Sequence, residues 1–323
     1  MPQTFFPITP VRVTILGANY NWANVDITAH IPVANATLAV LYIDNGGTGA
    51  ARDWGVKGHG PPTGWIRTLG GLSCSWAMVG IDPVFNPNPG YGFSFYNAAL
   101  SDQIQAWLIG YATTGVVSNI ASTNLSAAIG DDAWTMVDLG PAGLNVIPVG
   151  TLGVIVAARG IHPTDRDWGL RMNGSTDDRS WQSQHMFVVG VDASLRVECY
   201  RDNGSTYHYL IGYITDGVTF HQNAIEVTPA GLNTWNPLLP PLPASGIMGF
   251  IEVTSFAGGK YGAGDIGTLP FSRYLKSSLH NGAFVPASNW NGQKEDAVTQ
   301  FFLTGYAHLT APIVQTNPAT GVT

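Results

Sequence analysis

The tetrapeptide Arg52-Asp53-Trp54-Gly55 returns unchanged as Arg166-Asp167-Trp168-Gly169, and each copy is followed by an apolar residue and a cation, Val56-Lys57 and Leu170-Arg171. Other landmarks recur in the same order. Trp22-Ala23-Asn24-Val25-Asp26-Ile27 matches Trp134-Thr135-Met136-Val137-Asp138-Leu139, and Met78-Val79-Gly80-Ile81-Asp82 matches Val188-Val189-Gly190-Val191-Asp192. The closing runs are Trp107-Leu108-Ile109-Gly110-Tyr111, Tyr209-Leu210-Ile211-Gly212-Tyr213 and, in a more divergent third copy, Phe302-Leu303-Thr304-Gly305-Tyr306. That third copy shares Pro229-Ala230-Gly231-Leu232-Asn233 with Pro141-Ala142-Gly143-Leu144-Asn145, and Arg273-Tyr274-Leu275-Lys276 is taken as its version of the tetrapeptide. Units of about 90 residues are too long for solenoid repeats, so the pattern predicts tandem domains. The expected boundaries are an N-terminal arm at 1–20, units at 21–115, 132–217 and 218–310, a linker at 116–131 and a tail at 311–323.

Within a unit, apolar or β-branched runs end at turn dipeptides. Thr37 to Ile43 stops at Asp44-Asn45-Gly46-Gly47, and Arg196 to Tyr200 stops at Asp202-Asn203-Gly204. Asx-Gly pairs supply the positive φ that tight hairpins need. The chain carries 39 glycines and 21 prolines, with only four glutamates and four lysines, so it lacks the residues that cover exposed helices. The expected fold class is all-β, with three tandem antiparallel β-sandwich or jelly-roll-like domains related by internal repeat. Several strands are apolar on both faces, which requires cover from a second sheet or a neighbouring subunit.

A net charge of −7 with scattered cations excludes a phosphate-binding stripe, so no nucleic-acid partner is expected. The longest apolar runs have strand length, and no membrane insertion is expected. The opening Met1-Pro2-Gln3-Thr4-Phe5-Phe6 lacks the cationic and apolar segments of a secretory signal, which suggests a product made in the cytoplasm. Cys74 and Cys199 read as buried free thiols. Neither the paired acids (Asp131-Asp132, Asp177-Asp178, Asp165 with Asp167) nor the eight histidines form a catalytic or metal-ligating spacing, so no enzyme activity, cofactor or metal is expected. Gly258 to Gly264 resembles a phosphate loop only in composition and reads as an exposed loop.

Two sets of residues remain as candidates. Trp54 and Trp168, with Asp53 and Asp167, have the chemistry of a glycan platform, a ring to stack on a sugar and carboxylates for its hydroxyls, although a shared core corner would use the same types. Phe5 and Phe6 in the apolar start, and Val84 and Phe85 in the proline-rich stretch 83–90, are candidates for assembly contacts; the start has either a docking role or a place in the first domain's sheet.

Low charge, abundant glycine and proline, and diverged tandem β-domains with Trp-Leu-Ile-Gly-Tyr-type strands together resemble virion structural proteins of tailed bacteriophages. The resemblance implies a capsid decoration protein or a tail fibre or adaptor component, assembling with copies of itself and with other capsid or tail proteins and aiding host attachment. The alternatives are a module binding cell-surface glycans and a subunit of an extracellular filament.

Overall fold

The computed structural model describes residues 3–13, 21–45, 52–58, 65–69, 74–81, 90–97, 104–160, 167–182, 186–255, 260–264 and 280–309. Apart from single turns of 3-10 helix, the regular structure there is antiparallel β, as the composition predicts. Unit one contains β1 (Phe5–Val13), β2 (Asn21–Asp26), β3 (Leu38–Asn45), β4 (Arg52–Gly58), β5 (Trp65–Leu69), β6 (Cys74–Gly80), β7 (Gly92–Asn97) and β8 (Ile104–Ala112). Its sheets have the orders β1-β8-β3-β6 and β2-β7-β4-β5. Unit two contains β9 (Val116–Asn124), β10 (Thr135–Asp138), β11 (Gly153–Gly160), β12 (Asp167–Met172), β13 (Trp181–Gln182), β14 (Met186–Gly190), β15 (Arg196–Arg201) and β16 (Thr206–Ile214). Its sheets are β9-β16-β11-β14 and β10-β15-β12-β13. Unit three contains β17 (Val218–Glu226), β18 (Asn236–Pro237), β19 (Gly246–Thr254), β20 (Tyr261–Ala263), β21 (His280–Pro286), β22 (Asn291–Lys294) and β23 (Gln300–His308). Its sheets are β17-β23-β19-β21 and β18-β22-β20.

Counted within a unit, the strands of units one and two fall in the orders 1-8-3-6 and 2-7-4-5. Unit three follows the same orders, as 1-8-3-6 and 2-7-4, when β21, β22 and β23 are counted sixth to eighth. The first sheet of each unit is the inner one: β3 and β14 are buried at every position and β19 at nearly every one. The second sheet is the outer one, and β2 and β15 alternate buried with accessible residues. The strands apolar on both faces are thus the inner ones, covered by neighbouring units of the same chain.

Leu-x-Gly-Tyr has a structural reason that repeats three times. Pairing skips one residue of the eighth strand in each unit, leaving Ile109, Ile211 and Thr304 as β-bulges. The following glycine lies under a carbonyl of the first strand. A Cβ would stand 3.0 Å from Phe6 O at Gly110, 2.6 Å from Val117 O at Gly212 and 2.6 Å from Thr219 O at Gly305.

The inner sheets of the three units meet on one another. Strands β6, β14 and β21 are mutual neighbours, while β9 lies on β6, β17 on β14 and β1 on β19. At one end of this junction three equivalent bonds close the sheets: Thr113 N–H donates to Thr4 O (2.9 Å), Thr215 N–H to Gly115 O (2.7 Å) and His308 N–H to Gly217 O (3.0 Å). Residues 4, 115 and 217 converge there. A Cβ on Gly115 or Gly217 would come within 3.1 or 2.5 Å of Thr4 Oγ1. These contacts make a closed ring about a pseudo-threefold axis, in which unit three returns to unit one without a covalent link.

Several sequence expectations change accordingly. The stretch read as an arm supplies β1, paired with β8 from Phe5↔Ala112 to Val13↔Ala106. The stretch read as a linker supplies β9, paired with β16. Pro141–Asn145 follows β10, whereas Pro229–Asn233 precedes β18, so the shared pentapeptide does not mark equivalent places. The shared feature is a left-handed asparagine, Asn145 at φ 54° and Asn233 at 56°, but Asn145 N–H closes a local turn onto Gly140 O at 2.9 Å whereas Asn233 N–H donates to Lys294 O of β22 at 2.8 Å. Register also places Tyr261-Gly262-Ala263 opposite Lys294-Gln293-Gly292, where Trp54-Gly55-Val56 lies opposite Asn97-Tyr96-Phe95. The described part of unit three's version of the tetrapeptide is therefore Lys260-Tyr261-Gly262, in the stretch read as an exposed loop; Arg273 to Lys276 lie outside the described residues.

Candidate functional site

Alternation along β4 and β12 decides what the tetrapeptides can do. Trp54 and Trp168 point between the sheets and are fully buried. Trp54 stacks on Phe95 at 6.1 Å, and Trp168 meets Phe187 at 5.0 Å and His208 at 5.5 Å. Neither ring has a free face, so the glycan-platform reading of these tryptophans is corrected: inward-facing positions of a sandwich cannot stack on a sugar. Asp53 is exposed and Asp167 half-buried, each on the opposite face of its strand from the buried tryptophan that follows it.

The next residue of each tetrapeptide faces outward, beneath an aromatic cluster. A Cβ on Gly169 would stand 2.5 Å from the Trp134 ring. Trp134 packs on Tyr200 at 5.8 Å with Arg171 above it at 4.0 Å, and Trp22 packs on Tyr96 at 5.7 Å with Lys57 above it at 4.9 Å. Arg171 is further held by Glu198 at 2.5 Å, and Trp134 Nε1 donates to Asp178 at 2.8 Å. The cation two positions after the glycine is thus a lid on the tryptophan, a stacking contact of about 0.5–1 kcal/mol at a partly exposed site. Trp22, Trp134 and the lids were legible as repeated landmarks, but their union on one face was not, because it crosses three strands.

The assembly candidates among the described residues, Phe5 and Phe6, pack within the chain. Phe5 is fully buried and meets Phe250 of β19 edge-on at 5.7 Å, and Phe6 stacks on Tyr111 at 5.0 Å. Val84 and Phe85 lie outside the described residues. A second junction joins units two and three: Arg179 bonds Glu252 at 2.6 Å and Asp177 at 3.0 Å and stacks on Phe302 at 4.4 Å. Burial works against the Arg179 charge, and its two carboxylate partners more than offset this, raising its pKa above the ordinary guanidinium value. Asn223 Oδ1 accepts from Ser175 Oγ and the Thr176 amide, both at 2.9 Å.

Acids and thiols offer no reactive arrangement among the described residues. Asp131 pairs with Arg201 at 2.7 Å, and Asp177 and Asp178 are engaged as above. Among the described residues no group of His, Cys, Asp and Glu could hold a metal. Burial pushes the Cys199 thiol up to about 12, beyond any nucleophilic role near neutral pH. His208, fully enclosed beneath Trp168, is pushed down to about 4 by burial and then by Arg201. The Gly169 and Tyr200 carbonyls lie near its ring without making a full hydrogen bond.

No protein-family model matches the chain, and no curated protein matches it. Three solved structures show a distant likeness, each at 10% identity. They are a candidate secreted protein from Parabacteroides distasonis ATCC 8503 (64% of this chain, 81% of that chain, TM-score 0.19), a chain of Sulfolobus Turreted Icosahedral Virus (95%, 92%, 0.23) and a chain of the lipid-containing bacteriophage PM2 (95%, 88%, 0.16). Scores this low transfer nothing to this chain, so a functional reading rests on its own geometry.

Proposed function

We propose that the chain is a non-enzymatic structural component of a virion, in which three jelly rolls form one rigid building block. The observation that carries this reading is the strand order. Two facing sheets of four, ordered 1-8-3-6 and 2-7-4-5, are the layout of the eight-stranded jelly roll found in viral capsid proteins, lectins and cupins. A cupin holds its metal inside the barrel, and the described residues offer no ligand group for one. A lectin needs an accessible recognition surface, and the repeated tryptophans are either buried or lidded by a cation. A load-bearing shell or tail block needs neither, and few flexible charged side chains suit it. On this reading the partners are other capsid or tail proteins, as a decoration, fibre or adaptor component. The test is antibody labelling of density-gradient fractions from cells that make the protein. Label on intact particles is expected; protein confined to the particle-free fractions would overturn the proposal.

A further inference from the structure

Five Asn-Gly pairs occur in the chain, at 45–46, 173–174, 203–204, 281–282 and 291–292. Such a pair can lose the asparagine side-chain amide, because a glycine nitrogen has no Cβ beside it to hinder attack on the asparagine Cγ. The fold permits this unequally. Asn45 and Asn281 are fully buried, and Gly292 is buried within β22. Asn173 Nδ2 donates to Asp192 Oδ2 at 2.7 Å and Gly174 N–H to Glu198 Oε1 at 3.3 Å, so both groups that would react are engaged elsewhere. At Asn203-Gly204, the tip of the β15–β16 hairpin, the arrangement is the reverse. Gly204 is exposed, and its N–H has no acceptor among the described residues. Asn203 Oδ1 accepts from Ser205 N–H at 2.9 Å, an Asx turn that folds the side-chain carbonyl back over the Gly204 peptide and polarises it. Asn124 makes the same turn with Ser126 N–H at 2.9 Å, but the residue after it is Leu125, whose N–H is spent on His208 O at 2.8 Å.

We infer that Asn203 is a self-modification site, deamidated through a cyclic imide by the Gly204 backbone nitrogen, while the fold protects Asn173, Asn281 and Asn291. The Gly204 nitrogen gives its proton to solvent base and bonds to Asn203 Cγ. The Cγ–Nδ2 bond breaks, and the nitrogen leaves as ammonia after taking a proton from solvent. Ser205 N–H faces the oxygen on which negative charge develops during the attack. Water then opens the imide at either carbonyl, leaving an aspartate or an isoaspartate at 203, and no oxidant or further reactant is needed. Either product replaces a neutral amide with a carboxylate. The cation beside it, Arg201, is already paired with Asp131 at 2.7 Å, so the new charge adds to an acidic end of unit two. An isoaspartate also lengthens the backbone inside the turn that Thr206 N–H closes on Asn203 O at 3.2 Å. The inference is independent of the virion reading, since the reaction would occur in the purified chain whether or not it enters a particle.

Incubation of the full chain at mildly alkaline pH, with its peptides sequenced by mass spectrometry at intervals, tests this. The expected result is a gain of a single mass unit at residue 203, growing roughly tenfold or more faster than at 173, 281 or 291, which lack the free nitrogen or the polarising donor. In concentrated urea, where the fold no longer separates them, these four positions should react alike. Gly204→Ala places a Cβ where nothing lies within 4 Å, so it should leave circular dichroism unchanged and slow the gain at 203 several-fold by crowding the attacking nitrogen. A folded chain that stays intact at 203 while the urea-treated chain reacts there overturns the inference. Equal gains at 173, 281 or 291 in the folded chain overturn the selectivity assigned to the fold. A gain at 203 that yields no isoaspartate and is undiminished in Gly204→Ala overturns the role of the Gly204 nitrogen, since water would then be attacking directly.

Discussion

Met78 and Met186 belong to different units, yet the Met78 amide donates to Met186 Sδ at 3.0 Å, joining β6 to β14 where the inner sheets meet. A backbone donor spent on a side chain of another unit ties those two units into one body. The third unit enters the same place through Gly282, where a Cβ would collide with the Met186 carbonyl.

Gly282→Ala should therefore destabilise the whole chain. The obstacle is backbone rather than the flexible end of a side chain, and overpacking of this kind costs about 1–3 kcal/mol. Denaturant unfolding of the variant should show a lower midpoint. An unchanged midpoint would mean that β21 and β14 do not approach as described.

Glu252→Gln should cost about 2–4 kcal/mol, because it leaves the Arg179 guanidinium with half its counter-charge at a mostly buried junction. Arg179→Met combined with Glu252→Gln should cost less than the sum of the two single changes, since no stranded charge remains. Strict additivity in thermal unfolding would show that the pair does not couple units two and three.

Trp54→Ala and Trp168→Ala should each cost about 3–5 kcal/mol as large-to-small changes in a closed core. Asp53→Ala on the exposed face should change stability by no more than about 1 kcal/mol, the range of an exposed charged contact. Equal, small effects at all three positions would return the tetrapeptide to the surface.

His208 should make unit two acid-sensitive. Its folded value of about 4 lies below the ordinary 6.5, so between these values the unfolded chain binds a proton that the folded chain refuses. Stability is full above about pH 6.5, falls as pH drops towards 4 and levels off below, a loss of roughly 3 kcal/mol in all. Register puts Phe301 of unit three and Ala106 of unit one in the corresponding place. His208→Phe should flatten this part of the curve, and a variant with the wild-type acid dependence would refute the assignment.

Patterns that act within a few residues were legible in the sequence. Asp202-Asn203-Gly204 is the turn it signals, with Thr206 N–H donating to Asn203 O at 3.2 Å, and the recurring Gly-Tyr marks a bulge in every unit. The same locality misled at Pro229–Asn233, where the letters and a left-handed asparagine repeat without the turn or the topology repeating. It hid β20 as well, because Tyr261-Gly262 keeps the inward ring and outward glycine of Trp54-Gly55 but loses the letters. The tetrapeptide looked like a site because its residue types suit one, and only the direction in which each side chain points separates a core ring from a platform. The ring closure left no signal at all: Thr4 bears on Gly115 and Gly217 across more than a hundred positions, and nothing local distinguishes a threonine that does so.

Small-angle X-ray scattering of the chain, measured on the size-exclusion fraction at the mass of one 34.3 kDa chain, tests the closed three-unit ring most directly. A compact body of 323 residues should give a radius of gyration of about 20 Å and a single-peaked distance distribution. A clearly larger radius with an extended tail, as three sandwiches strung in a line would produce, would contradict the ring.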